Sequence, residues 1–439
     1  MIASPSSARD SEFSLALIKL REYLPPRPYC DRLITIYCNH FERSMRVLHI
    51  PTFMREYEQI WNGLEACSPS IIPQLSAVMT MAYHMDDTNR PSDDHSHRSY
   101  LKGSAVDLVQ GWIDELSRKQ RTELPSLQVE IFLLLSKSLR GMQPEKLWSS
   151  TGALVRSAII MGLHLDPSAV KGFSPFQAEM RRRLWATILE IDLQASMTTA
   201  LPLVLPEIAA PVVPLNLNDW EFDEGSTTLP PSHPLETHTD NLYQVVLASS
   251  LPLRLKALSL VQHSAPDLEE ALSLGRKIEE CLANKPLAMK MYNHGSGPSD
   301  GGSLLHRVLV DLYLRRPVLC LYKPLLLGQN KDLPSHSGIS KHCLDSSLEI
   351  LYYQELYTIP SLRPIVDSPI AHQDFFYRCC KSDILWAALT CCQRIKVLQN
   401  DPADVPPDQR TGRKMNLVAT VESTIEFLVE RIGRKDSDL

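Results

Sequence analysis

The sequence predicts an all-α fold, a large multi-helix assembly with long irregular connectors. Three observations carry that prediction. Apolar residues recur at three- and four-residue steps in Leu33–Tyr37–Phe41, Val129–Leu133–Leu134 and Ile384–Ala388–Cys391, the period of a helix face. Alternating strand patterns bounded by hairpin turns are scarce, and no repeat of helical or blade length is visible. Strong helix punctuation is present instead, above all at Ser174-Pro175-Phe176-Gln177. There Ser174 can cap, Pro175 suits the first helical position and Gln177 completes a capping box.

From that start, Met180, Leu184, Ile188, Ile191 and Ala195 form one apolar stripe with Trp185 and Leu189 beside it. Glu179 precedes Arg182 and Arg183 by three and four residues, in the favourable acid-first order. As exposed pairs these would contribute about 0.2–0.5 kcal/mol each. Asp192 sits at the edge of the stripe, where an unpaired carboxylate is costly. Arg156 or one of Arg181, Arg182 and Arg183 is the expected ionic partner. The preceding segment, 149–167, reads as a second helix, capped by Ser149 or Ser150 and ended between Gly162 and Pro167. Its small residues Ala153, Ser157, Ala158 and Gly162 allow close approach. The two segments therefore predict a tight helical hairpin with charges between its arms and no nucleophile–base pair.

Connectors are expected at 86–97, 199–240, 293–303, 327–340 and 399–414, where Pro, Gly, Asn and Asp cluster. The expected organisation is a disordered lead-in over 1–21, a helical half over 22–215, a connector at 216–240 and a second half over 241–435. The halves are expected to pack as one large unit.

Composition excludes some functions. Forty-five basic against 51 acidic residues leave a net charge of −6, the wrong sign for a chain that coats nucleic acid non-specifically. No uncharged apolar stretch reaches the roughly 18 residues of a membrane span. The nearest, 193–206, is bracketed by Asp192 and Glu207. The N-terminal MIASPSSARDSEF lacks the apolar core of a signal peptide, so a soluble, intracellular protein with no membrane partner is expected. Ten cysteines in a chain of this length do not make a disulfide framework. Cys380 and Cys391 share a helix face but lie roughly 16 Å apart along it, beyond the reach of one zinc. With Cys379 and Cys392 they read as small core residues.

The hairpin residues carry a specific resemblance. Leu154-Val155-Arg156-Ser157-Ala158, then Gly162-Leu163-His164-Leu165-Asp166-Pro167, then Glu179, Arg181-Arg182-Arg183, Trp185 and Asp192 are similar, in order and spacing, to the middle homology region of fungal zinc-cluster transcription factors. Residues 24–61, Pro214-x-Asn216-x-x-Asp219, Leu314-Arg315-Arg316-Pro317 and Tyr322-Lys323-Pro324 resemble other parts of that region, so the likeness spans roughly 22–330. Ala186, Ala200-Leu201-Pro202 and Leu165 depart from the family pattern. The family's six-cysteine zinc cluster is absent: Cys30, Cys38 and Cys67 stand at none of the short spacings that close such sites.

The resemblance implies a nuclear transcriptional regulator, of which these residues are chiefly the regulatory domain, with no cofactor of their own. It implies control through intramolecular contacts, co-regulators or the transcription machinery. DNA would be reached through a zinc-cluster module or a partner subunit, and the targets would be one pathway or a biosynthetic gene cluster. Homodimer and heterodimer both stay open. The alternative is a DNA-binding-deficient co-regulator. A remoter one is a magnesium-dependent terpene-synthase-like enzyme, suggested by HMDDTNRPSDDHSH at 84–97. Against it, Asp86-Asp87 is followed by Thr88-Asn89-Arg90, a cation where the third carboxylate belongs. Asn218-Asp219 is followed by Trp220-Glu221-Phe222 and lacks the hydroxyl of a second metal motif. His84, His95 and His97 have metal-ligand chemistry, but a solvated acidic turn explains them as well.

Overall fold

The computed structural model describes residues 15–63, 68–86, 95–170, 172–204, 212–263, 266–290, 304–327, 334–356, 369–400 and 407–433. Among these there is no strand, and the all-α expectation holds. The chain divides into two compact units. One comprises residues up to Thr199 together with Glu207–Pro252, the other Ala200–Pro206 with Leu253–Leu439.

The first unit holds α1 (Leu15–Glu22), α2 (Arg27–Tyr37), α3 (Ile50–Trp61), α4 (Ile71–Ala82), α5 (Ala105–Glu115), α6 (Leu124–Leu139), α7 (Pro144–Ile160) and α8 (Pro175–Thr199). Helix α4 is its centre. Every residue of IIPQLSAVMTMA is buried, because α1, α2, α5 and α6 all pack on it. A helix enclosed on all sides must satisfy its polar groups internally. Gln74 Nε2 donates to Gln128 Oε1 at 2.9 Å, and the Thr80 and Ser136 hydroxyls lie 2.8 Å apart.

Helices α7 and α8 form the predicted hairpin. The capping box is present in both directions: Gln177 N donates to Ser174 Oγ at 3.2 Å and Ser174 N to Gln177 Oε1 at 3.1 Å. Gly162 ends α7 in the left-handed region, φ +74°. The Gly162 and Leu163 amides close back onto Ile159 O and Ala158 O at 2.8 and 3.0 Å. This is a Schellman termination, and a Cβ at φ near +74° would be strained.

Several boundaries differ from those expected. Helix α7 begins at Pro144, not near Ser149, because Pro144 already supplies the favoured first position. Residues 15–21 are helical within α1, whose Ala16, Leu17 and Leu20 are buried, so the lead-in does not extend to 21. Residues 334–340 and 407–414 open long helices at Pro334 and Pro407. The same proline that suggested a connector is the first residue of each. The connectors expected at 86–97 and 293–303 lie largely outside the described residues. So does the middle of 199–240. Its second part is irregular yet packed into the first unit, not a spacer between halves.

Helix α9 (Leu242–His263) supplies residues to the first unit up to Pro252 and to the second beyond it. By length and apolar composition Leu242–Gln262 would suffice to cross a membrane, but 61% of the window is buried, as in a core helix.

The second unit continues with α10 (Leu268–Ala283), α11 (Leu304–Leu327), α12 (Pro334–Leu356), α13 (Pro369–Asn400) and α14 (Pro407–Gly433), each packed on the next. Ala271, Leu274 and Ile278 of α10 meet Val318, Leu321 and Tyr322 of α11. Gly275 makes this approach possible, since a Cβ there would fall 2.0 Å from Tyr322 Oη and 2.6 Å from its ring. Tyr322 is 1% exposed and has no room to retreat. Gly275→Ala is therefore expected to cost about 1–3 kcal/mol by overpacking, read as a fall in melting temperature with helical content retained.

Cys380 and Cys391 are buried in α13, as expected of core residues, whereas Cys379 is half-buried and Cys392 exposed. One helix face cannot enclose both members of an adjacent pair.

Candidate functional site

A cluster of buried charges, Glu42, Arg46, Glu179, Arg183 and Asp219, lies in the first unit. It assembles three stretches of chain: the end of α2 with the turn before α3, the first turns of α8, and residues 215–222. Beyond Tyr37, α2 widens into a π segment, Cys38–Glu42, followed by one short helical turn, Arg43–Met45. Arg46 then reverses the chain with φ +49°, unusual for a residue bearing a side chain. Its guanidinium is buried against Asp219.

Asp219 is the hub. Its Oδ1 accepts hydrogen bonds from Arg46 Nη2 and from Arg183 Nη1, the latter at 2.6 Å. Its Oδ2 accepts from the Ile50 amide at 3.0 Å. Ile50 is the first residue of α3, so the carboxylate caps that helix from a distant part of the sequence. Burial alone would raise this carboxyl. Arg46, Arg183 and the Ile50 amide outweigh it and hold the group well below the usual carboxylate range.

Around the hub, Glu179 accepts from Arg183 Nε at 3.3 Å, Arg182 Nη1 at 3.4 Å and the Leu215 amide at 2.9 Å. Arg183 also lies over the Phe222 ring, 4.9 Å from its centroid. His49 Nε2 stands 2.8 and 3.0 Å from the carbonyl oxygens of Asp219 and Phe222. Since carbonyls only accept, Nε2 carries the proton. The ring is held between Phe176 and Phe222, each 5.0 Å away. Burial lowers its pKa, so it serves as a neutral donor.

Glu42 completes the set. It accepts from Tyr37 Oη at 2.5 Å and from the Leu48 amide at 2.9 Å, with Arg46 at 3.9 Å. Burial pushes its carboxyl up to about 7, against the opposing pull of Arg46 and the Tyr37 hydroxyl. A carboxyl raised in the folded state stabilises fully below its unfolded value near 4.5 and loses that contribution as pH rises through about 7. Glu42→Gln cannot ionise. Its stability relative to wild type is therefore expected to rise between pH 4.5 and about 7.5, measured by parallel denaturant titrations. A pH-independent difference would refute this assignment.

The irregular run 212–222, which closes with a single turn at Asp219–Glu221, stays in place through its own hydrogen bonds. Asn216 Nδ2 donates to His233 O and Pro234 O at 3.2 and 2.9 Å, while Thr239 Oγ1 donates to Asn216 Oδ1 at 2.6 Å. Asn218 and Glu221 form a capping box, and Asp219 N donates to Asp240 Oδ2 at 3.0 Å.

The arginine run thus divides its tasks. Arg181 donates to Met161 O at the C-terminal end of α7, where a cation is favoured, and lies over the Phe173 ring at 4.2 Å. Arg182 also reaches Ser168 Oγ at 2.5 Å and lies 3.8 Å from Asp166. Asp166 caps the turn at Pro167 by accepting from Ser168 N. Arg183 goes to Glu179 and Asp219. The expectation of exposed pairs fails here: Glu179 and Arg183 are fully buried, because the 212–222 run covers a face that looks solvated when α8 is considered alone. Asp192 accepts from Thr151 Oγ1 at 3.0 Å. Arg156, one of its expected partners, is exposed. Trp185 is buried, with the exposed His164 ring 6.5 Å away. Sequence reasoning missed Glu42, Arg46 and His49. The one available signal was charged and polar residues inside the apolar run 41–53.

Asp86, from the acidic motif, is paired with Arg32 at 2.6 Å. Among the described residues no group of three or more His, Cys, Asp or Glu gathers to hold a metal. The buried set offers no unpaired carboxylate and no nucleophile beside a base. What it does is clamp three distant segments together.

A second clamp lies in the other unit, on the Arg315-Arg316 pair of α11. Asp311 accepts from Lys285, Arg315 and the Tyr353 hydroxyl. Burial would raise its carboxyl, but Arg315 and Lys285 hold it below the usual range. Arg316 makes a bidentate pair with Asp383 (Nε–Oδ1 2.9 Å, Nη2–Oδ2 2.5 Å) and donates to Cys379 O at 2.8 Å.

Residues 34–260 match the fungal specific transcription factor domain. The transcription factor opdR of Penicillium oxalicum is 32% identical over 348 residues, covering 77% of this chain and 43% of that protein. The Zn(2)-C6 fungal-type transcription factor mpsB of Macrophomina phaseolina is 29% identical over 343 residues, 76% of this chain and 45% of its own length. The equisetin cluster transcription factor eqxF of Fusarium heterosporum is 25% identical over 355 residues, 76% of this chain and 49% of its own. The chain spans less than half the length of these relatives. The matched region contains the whole Asp219-centred clamp and the hairpin that supplies it, and the chain belongs to the fungal specific transcription factor domain family.

Proposed function

We propose that this chain is the regulatory part of a nuclear transcriptional regulator of the zinc-cluster type, and not an enzyme. The observation that carries the reading is the domain match across 34–260, over the segments the buried clamp joins. The clamp consumes its charges in holding the fold, which suits a domain that presents surfaces to other proteins. DNA is reached through a zinc-cluster module or a partner subunit, since these 439 residues contain no six-cysteine run. Several relatives carry the name of a cluster, as eqxF does. A biosynthetic gene cluster is accordingly the target class proposed here.

Deleting the gene and sequencing transcripts tests the reading. Coordinated change in one contiguous set of biosynthetic genes is expected, and an unchanged transcriptome would overturn it. A tagged protein should accumulate in nuclei. Turnover of a prenyl diphosphate with magnesium by purified protein would instead establish the enzyme alternative.

A further inference from the structure

Of the three arginines in the run, Arg181 alone meets no carboxylate among the described residues. Arg182 has Glu179 and Asp166, and Arg183 has Glu179 and Asp219. Arg181 is 8% exposed, and its guanidinium donates to Met161 O and lies over the Phe173 ring. Burial lowers its pKa, and no carboxylate opposes that shift. The end of α7 supplies about half a negative charge, so the cation is only partly neutralised. Shielding a charge this far without its opposite is costly. One turn further along α8, the buried Trp185 N–H also has no acceptor among the described residues.

The rim around Arg181 is apolar and open. Ile160, at the end of α7, and Leu165, Val170 and Phe173, in the turn that leads to α8, are all exposed, Ile160 at 74%. Leu165 and Arg181 are neighbours: Leu165 Cδ1 and Arg181 Nη2 lie 3.9 and 3.8 Å from the place a Gly162 Cβ would take. Arg156, exposed and one turn before Ile160, adds a second guanidinium with no ion pair among the described residues. Asp166 is the only acid from Ile160 to Phe173, and it is engaged with Ser168 N and Arg182. A carboxylate brought to Arg181 under such a rim gains more than it would in water, because the apolar neighbours exclude solvent.

We infer that the α7–α8 turn is a docking site for an acidic, apolar segment of a partner protein. A carboxylate of that segment pairs with Arg181, a second acid faces Arg156, and its apolar side chains cover Ile160, Leu165 and Phe173. Charge selects this occupant, since both guanidiniums await an anion. The apolar rim selects a polypeptide over a phosphate backbone, which has nothing to cover it. The inference names a partner class for the regulatory part proposed above and rests on that reading.

Fluorescence anisotropy tests this with the full chain and a panel of labelled synthetic peptides. The peptides share one leucine and phenylalanine content and are graded from lysine-rich to glutamate-rich. Affinity is expected to rise with glutamate content. Ile160→Ser with Leu165→Ser should weaken the glutamate-rich peptide at least about tenfold (roughly 1.4 kcal/mol), and Arg156→Glu should weaken it too. These three positions are exposed, so circular dichroism should show wild-type helicity and melting. Arg181→Lys keeps the charge but loses the planar fork, and should also bind less tightly. The inference is overturned if no peptide of the panel binds, if affinity ignores peptide charge, or if the rim substitutions change nothing. Binding of duplex DNA at this turn in place of the peptides would overturn it equally. The assay reads neither transcripts nor localisation, so its failure leaves the regulator reading standing.

Discussion

Replacing Asp219 by Ala is expected to destabilise the first unit by about 3–5 kcal/mol, the range for breaking a buried ion pair from one side. The substitution leaves Arg46 and Arg183 buried without their shared carboxylate and takes the cap from the first amide of α3. Arg46 also loses the contact that holds its left-handed turn. Denaturant unfolding should show a lower midpoint, with the change concentrated in the unit that contains α8. Asp219→Asn keeps the size and one acceptor and should recover only part of the loss, since the two cations stay uncompensated. The sign with pH follows from the depressed carboxyl: its contribution is present above the unfolded value near 3.8 and is lost as pH falls below it. The stability gap between wild type and Asp219→Asn should therefore narrow on acidification. A variant as stable as wild type at neutral pH would show that Asp219 is not the hub.

The second large effect is expected at Asp311. Its carboxylate is buried and serves Lys285, Arg315 and Tyr353 together. Asp311→Ala should again cost about 3–5 kcal/mol, this time in the second unit. Lys285, just past the end of α10, is 4% exposed in its side chain and is held away from bulk water. Adding Lys285→Met to Asp311→Ala should recover part of the loss, because it removes a stranded cation and leaves a chain of similar length. Strict additivity of the two substitutions, measured as a double-mutant cycle, would contradict this coupling.

The hairpin was legible in detail. The Ser174–Gln177 box, the apolar stripe of α8 and the Gly162 stop are local events, decided within a turn or two of helix. The family motif lies in the same stretch, and Asn216 and Asp219 stand in the sequence as a pattern that carries no role of its own. Prolines misled in two places, because Pro334 and Pro407 open helices as readily as they interrupt them. The arginine run differs from expectation too: Arg183, one of the candidate partners of Asp192 nine residues further along the same helix, pairs instead with Asp219. The cost of burying Glu179 was invisible for the same reason, since only the 212–222 run makes that face dry.

By itself the sequence determined that this protein is helical, where its best-marked hairpin lies and which family it resembles. Those properties rest on periodicity and capping, which act between residues a few positions apart. Only the tertiary structure decided which charges are buried and which meet. Arg46 and Asp219 are 173 residues apart and Arg183 and Asp219 are 36 apart. Whether an arginine on a helix faces water or a carboxylate depends on the distant segment folded over it, and no local pattern carries that segment's position.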